Sequence, residues 1–370
     1  MITPIRADSP QILEQLRAVR AAGQVPLVTD PRWDWLPDGV SGDAFLSSEL
    51  PADVAWATTT SGSSGSPRVV IRTASSWADS FAAVSEMLKA GHDDHILLPG
   101  PPSSSLTLFS LAHALEDGPR PLLGLAAIGS PMAERATCMH GTPHALRAVL
   151  DAGLPANLRV ALIGGASLDV ALRSRAEAAG VRVIEYYGAA ELSFVATDEG
   201  SGLHAFPEVR LDVRDEELWV SSPYIAIGYL GEPGPLRLRD DWATVGDRAR
   251  ISDGTLQIRG RRDGAILTAS ATVIPEDVET TLRAAPGVRD AFVCGIPHPS
   301  LGALLSAYVE LAGPDRPDLQ DLTRHLAPSH RPRRWFAGPL PRTASGKIAR
   351  GEAERRMLAG EVPRFDPNRP

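Results

Sequence analysis

Two short apolar runs with a helix-like segment between them, residues 158–163, 168–179 and 181–186, constrain this chain more than any other feature. Residues 158–163 read as a buried strand and residues 181–186 as a second strand. A strand, a helix and a second strand within about thirty residues pack as a right-handed crossover with parallel pairing. Gly164-Gly165-Ala166 stands where the first strand ends. In open α/β sheets ligands bind beyond the carboxyl ends of strands, so a ligand is expected there.

The rest of the chain fits around that unit. A helix is expected over 10–22. A second is expected over 74–90, where Trp77, Phe81, Val84 and Leu88 repeat at helical spacing. From Leu218 onward the pattern changes to short strands and turns, at 218–220, 228–230 and 255–258. After Gly260 it changes again. A helix opened by Pro275 is expected over 276–285, then strands over 291–294 and 304–311 and a helix over 319–326. The expected fold class is therefore α/β, with a large N-terminal α/β domain over 1–262 and a small α+β domain over 263–370.

Composition narrows the function. The chain has 370 residues, 43% hydrophobic and 22% charged, with a formal net charge of −8. That is ordinary for a soluble protein and argues against a nucleic-acid partner. The one basic cluster, His330-Arg331-Pro332-Arg333-Arg334, reads either as a solvated loop or as a contact for phosphates. Two distant cysteines, Cys138 and Cys294, read as buried thiols of a cytoplasmic protein. The pairs His92/His95 and His140/His144 lack a third ligand and read as structural. Neither a secretory leader nor a membrane span is expected.

Ser61-Gly62-Ser63-Ser64-Gly65-Ser66-Pro67-Arg68, preceded by Thr60 and followed by Val69-Val70-Ile71, has little side-chain bulk. Its N–H groups and hydroxyls can close on an anion, most naturally a phosphate. No Gly-Lys-Ser/Thr ends it, so it is not a Walker A loop. Four further motifs follow in order: Tyr186-Tyr187-Gly188-Ala189-Ala190-Glu191, Val245-Gly246-Asp247, Gly260-Arg261-Arg262-Asp263-Gly264, and Leu340-Pro341-Arg342-Thr343-Ala344-Ser345-Gly346-Lys347. Over about residues 55 to 352 the set resembles the adenylate-forming superfamily of acyl-CoA synthetases, peptide-synthetase adenylation domains and luciferases.

The resemblance implies an enzyme that activates a carboxylic acid with ATP and Mg²⁺ to an acyl-adenylate, then passes the acyl group to coenzyme A. It assigns Ser61, Gly62, Ser63, Ser64, Gly65 and Arg68 to the phosphates, and Gly164, Gly165, Ala166, Tyr186, Tyr187, Gly188 and Ala190 to the nucleotide. Glu191 would hold the metal, Asp247 the ribose hydroxyls and Arg261 ribose or phosphate. Asp263 would be the hinge on which the small C-terminal domain is mobile, and Lys347 would stabilise the charge developing on the reacting oxygens. Outside the resemblance, Glu191 reads as a carboxylate at a helix N-terminus, and Asp247 as a turn residue.

The chain departs from the family at Ser64 and Ala190, where threonine is usual (serine also at the latter), at Arg68 and Leu267 for lysine, and at Ser270 for glycine. The segment before the loop is short. Some actinobacterial ligases that resemble o-succinylbenzoate ligases are similarly short, and a homodimer could supply the missing cover. Two alternatives stand beside the coenzyme A ligase: transfer to a carrier-protein thiol or other nucleophile, and a degenerate nucleotide-binding regulatory protein.

Overall fold

The computed structural model describes residues 1–30, 50–60, 68–124, 128, 130–231, 233–261, 266–268, 271–298, 302–313 and 317–365. Its centre is a sheet in the spatial order His204–Ala205, Ser193–Asp198, Arg182–Ala189, Val160–Gly164, Cys138–Gly141, His95–Leu98 and Arg120–Leu123. The last five strands run parallel, and Ser193–Asp198 returns antiparallel as a hairpin. The expected crossover is present: Val160–Gly164 pairs with Arg182–Ala189 through the helix Val170–Ala178. Asp169 starts that helix by accepting a hydrogen bond from Leu172 N at 2.7 Å.

A second sheet orders Ile2–Arg6, Val25–Thr29, Val54–Thr59, Val69–Thr73 and Gly228–Leu230. The helices Ser75–Leu88 and Ser105–Leu115 lie between the two sheets. Trp77, Phe81, Val84, Leu88 and Phe109 bury against Val28 and Trp56 on one side and Ile96, Leu98 and Ile184 on the other. The opposite face of the central sheet is covered by Leu146, Val149, Leu172 and Ala176, from the helices Pro143–Ala152 and Val170–Ala178. A third, antiparallel sheet carries Glu217–Ser221, Asp247–Ser252 and Thr255–Arg261.

The smaller C-terminal domain is α+β, as expected. Val288–His298, Gly302–Leu311 and Arg334–Ala337 form its sheet, and Pro275–Arg283 and Arg350–Leu358 pack on it. Pro275 occupies the first turn of its helix, where its missing N–H costs nothing. The helix expected over 319–326 stops at Leu322, and Thr323 turns back so that its hydroxyl donates to Leu319 O at 3.0 Å. The N-terminal helix, Ile12–Ala21, is flanked by two parallel strands that the sequence pattern does not announce.

Candidate functional site

Gly164 and Gly165 end the strand Val160–Gly164 at the carboxyl edge of the central sheet. Gly165 adopts φ +82°, a left-handed conformation that glycine tolerates without strain. A β-carbon there would lie 2.8 Å from Lys347 Cε, 3.4 Å from Lys347 Nζ and 3.6 Å from Thr142 Cγ2. The lysine of the C-terminal domain thus lies against the glycine pair of the large domain, 182 positions away in sequence by the difference of their numbers. Ala166 follows on the exposed side. The loop is held by Glu185, whose Oε1 accepts from Leu168 N at 3.0 Å.

The neighbouring strand, Arg182–Ala189, brings the aromatic motif to the same edge. The Tyr186 ring lies directly on Gly164, where any side chain would collide with it. Its hydroxyl pairs with His140 Nε2 at 2.9 Å, and His140 Nδ1 pairs with Ser110 Oγ at 2.8 Å. Burial holds the His140 imidazole down to about 3, so it is neutral, and burial raises the Tyr186 hydroxyl. Tyr187 points the other way and donates its hydroxyl to Asp247 Oδ2. Asp247 is buried at the start of Asp247–Ser252, next to the left-handed Gly246. Asp247 also pairs in register with the backbone of Arg261.

Glu191 corrects one expectation. No helix follows it; it occupies the turn between Arg182–Ala189 and Ser193–Asp198, so a helix N-terminal role is excluded. The hairpin closes tightly because a side chain at Gly188 would strike Ser193 O. Glu191 is only 4% exposed, and its Oε1 accepts from Tyr229 Oη at 2.7 Å. Burial and then the Glu191 charge raise the Tyr229 hydroxyl, so it remains a donor. The Glu191 carbonyl accepts from Ala226 N at 2.7 Å.

Beneath this turn lies Arg72, from the strand after the Ser/Gly loop. Its Nη2 donates to Ala190 O at 2.7 Å, and its Nη1 to Tyr224 O at 3.2 Å, Ser76 O at 3.3 Å and Ser76 Oγ at 3.1 Å. Burial lowers this guanidinium to about 9, with the Glu191 charge opposing the shift, so it stays charged at neutral pH. Arg72, Tyr229, Thr142 and the bonded His140 were not among the expected site residues. Arg72 carried a signal: a cation inside the strand run Val69-Val70-Ile71-Arg72-Thr73 needs buried partners.

Ser61, Gly62, Ser63, Ser64 and Gly65 lie outside the described residues, as does Asp263. Their flanks are described. Thr60 N donates to Arg68 O at 2.9 Å and Arg68 N to Thr60 Oγ1 at 3.1 Å, so the two ends of the segment are paired. The Arg68 side chain donates to Pro233 O at 3.2 Å. Cys138 and Cys294 are buried, and burial pushes both thiols up to about 12.

A parallel sheet whose strand ends meet a second domain across a glycine pair and a lysine is the architecture of a two-domain adenylate-forming ligase. The AMP-binding enzyme family model matches residues 5–230, and the model of the AMP-binding enzyme C-terminal domain matches 277–347. The chain belongs to the AMP-binding enzyme family, and it is an AMP-forming acid–thiol ligase. It is 28% identical over 384 residues to a protein of Mycobacterium tuberculosis named as a probable 2-succinylbenzoate–CoA ligase, covering 97% of this chain and 98% of that one. It is 29% identical over 327 residues to a protein of Bacillus subtilis named as an uncharacterized acyl–CoA ligase, covering 80% of this chain and 67% of that one. Among solved structures it resembles the o-succinylbenzoate–CoA synthetase of Bacillus subtilis in complex with an acyl-adenylate. The TM-score is 0.78 at 19% identity, covering 95% of this chain and 87% of that one. No described helix is long and apolar enough to cross a membrane.

Proposed function

We propose that the chain activates a carboxylic acid with ATP and Mg²⁺ and transfers the acyl group to coenzyme A. The observation that carries this reading is Lys347 lying against Gly165, at the strand edge that also presents Tyr186 and Tyr187. A carboxylate oxygen attacks the α-phosphorus of ATP, the α–β phosphoanhydride bond breaks and pyrophosphate leaves. The thiol then adds to the acyl carbonyl, loses its proton, and AMP departs. Lys347 would face the negative charge that builds on the reacting oxygens, a preorganised contribution of several kcal/mol in such sites.

Asp247, with both carboxylate oxygens able to accept, suits a vicinal diol such as the ribose hydroxyls. Tyr187, tethered to it, would lie against adenine. Glu191 fits a hard oxygen-ligand cation: its carboxylate is buried, oriented by Tyr229, and placed on a closed turn. Mg²⁺ there would neutralise phosphate charge. Gly164, Gly165, Ala166, Gly188 and Ala190 would line the nucleotide with backbone. Ser61, Gly62, Ser63, Ser64, Gly65, Arg68 and Arg261 keep their assignment to phosphates and ribose, and Asp263 remains the proposed hinge.

Tyr186, whose ring lies on Gly164, would form part of the nucleotide's surroundings. Relatives named for 2-succinylbenzoate, ferulate and fatty acids define a practical panel. A second reading, transfer to a carrier protein, is favoured by similarity to a fatty acid–[acyl-carrier-protein] ligase of Streptomyces coeruleorubidus. That match is 33% identical over 173 residues, covering 42% of this chain and 33% of that one. The test is mass detection of the acyl thioester after incubation with ATP, Mg²⁺, the acid panel and either coenzyme A or a phosphopantetheinylated carrier. Thioester with coenzyme A supports the first reading; thioester on the carrier alone supports the second.

A further inference from the structure

The turn that carries Lys347 is fixed within its own domain. Thr343 N donates to Lys347 O at 2.7 Å, Gly346 N to Thr343 O at 2.9 Å, and Arg342 Nη1 to Gly346 O at 3.3 Å. Arg342 is itself held by Asp290 at 3.0 Å and Glu310 at 3.1 Å. A turn this constrained moves as a unit, so the place of Lys347 over the large domain depends on where the turn is seated. Two side chains at the start of the helix Pro143–Ala152 meet it. Thr142 Oγ1 accepts from Ala145 N at 3.3 Å, capping that helix, and donates to Ser345 O at 3.3 Å. A hydroxyl can do both at once. The His144 ring packs on Gly346: a β-carbon there would lie 2.9 Å from His144 Cδ2 and 3.3 Å from its Cβ. Gly346 also adopts φ +81°, so two constraints exclude a side chain at that position.

We propose that Thr142 and His144 are positioning residues that seat the 342–348 turn on the large domain and act on adenylation only through Lys347. The proposal rests on the role given to Lys347 above. Thr142 does two jobs with one hydroxyl, and its methyl shares the space over Gly165 with the lysine. The Thr142–Ser345 bond is neutral and long, so it can break and re-form when the domains rearrange. An offset of about 1 Å in a positioned catalytic group can lower the rate about 100-fold. Removing either side chain from beneath the turn is therefore expected to slow adenylation measurably.

The sequence supplies its own internal reference, because Lys89 and Lys347 are its only lysines. Lys89 is exposed beside Glu86, and Lys347 is half-buried. Trace labelling of the full-length chain with acetic anhydride, read by peptide mass spectrometry, gives the Lys347/Lys89 ratio without any substrate. Thr142→Val is expected to raise that ratio and to slow first-turnover pyrophosphate release about 10- to 100-fold with 2-succinylbenzoate, ferulate or octanoate as the acid, while Thr142→Ser stays near wild type. Because Thr142→Val also removes a helix cap, His144→Ala, which leaves the cap in place, is the second variant and should show the same two changes. In a Lys347→Ala background Thr142→Val should cost nothing further, since a residue acting only through its partner is silent once the partner is gone. An unchanged labelling ratio, or the same fold-loss in both backgrounds, overturns the proposal. Full activity of Lys347→Ala would instead overturn the role given to Lys347 and leave the labelling result standing.

Discussion

Arg72→Met removes the side chain that ties the Ala190–Glu191 turn to the interior. Arg72 is 0% exposed and donates to four acceptors. Ser76 Oγ has a second partner, donating to Thr73 O at 2.9 Å, and Ser76 O lies within a helix. The carbonyls of Ala190 and Tyr224 bear the loss. Each buried carbonyl left unpaired costs about 1–3 kcal/mol, or about 2–6 kcal/mol for both. Relief from burying a cation recovers part of that. A net loss of about 3 kcal/mol lowers the melting midpoint about 4–5 °C, at an unfolding entropy of about 2.1 cal/mol/K per residue over about 260 to 370 residues. Because the Ala190 carbonyl fixes the residue before Glu191, the variant should also need more Mg²⁺ for half-maximal pyrophosphate release. Arg72→Lys, which keeps the charge but cannot fork to every acceptor, should fall between. Calorimetry and a Mg²⁺ titration read both effects. A variant that melts with the wild type and shows an unshifted Mg²⁺ dependence would show that Arg72 does not hold that turn.

Four further outcomes follow from the same geometry. His140 and His113 are held by burial to about 3 and about 4, below the ordinary histidine value. The unfolded chain therefore takes up protons first as pH falls; their contribution is complete above about pH 6.5 and shrinks by about 2 kcal/mol each between pH 7 and pH 5. Chemical denaturation across that range should show the loss, and a flat profile would refute it. Tyr186→Ala removes a ring packed on Gly164 and Phe194 and takes away the hydroxyl that pairs with His140 Nε2, so chemical denaturation should show a loss of about 3–5 kcal/mol; an unchanged midpoint would show that the ring carries no packing. Ala190→Thr restores the hydroxyl usual in the family and should leave activity intact or raise it, by up to about tenfold for one recovered hydrogen bond; abolished activity in a folded variant would count against the reading of that motif. Gly165→Ala strains a left-handed residue and collides with Lys347 Cε, so first-turnover adenylation should fall more than ATP affinity does.

The legible parts of this molecule were those decided locally. The apolar runs around residues 158–186 announced the crossover because strands buried on both faces leave little else to be, and Trp77, Phe81, Val84 and Leu88 marked their helix by period alone. The strands Ile2–Arg6 and Val25–Thr29 were hidden because each contains a proline, Pro4 and Pro26, which on sequence argues against a strand. Ile2–Arg6 stands at the sheet edge, where the lost N–H is tolerated. Motif order revealed the candidate site, but its wiring did not show. Tyr187 reaches Asp247 across 60 positions, Arg72 reaches Ala190 across 118, and Thr142 reaches Ser345 across 203. Such pairs are set by how sheets and domains stack, which no local pattern encodes. Glu191 shows the same limit: its residue type suited a helix start as well as a hairpin turn, and only the antiparallel strand after it decides.

Rapid-quench measurement of enzyme-bound acyl-adenylate, in the wild type and in Lys347→Ala, reads the role of Lys347 in adenylation without any later step. The wild type should accumulate acyl-adenylate in the first turnover with an acid of the panel. Lys347→Ala should bind ATP normally and form the adenylate at least about 100-fold more slowly. Equal rates in the two proteins would contradict it, because the lysine lying against Gly165 would then have no part in the reaction.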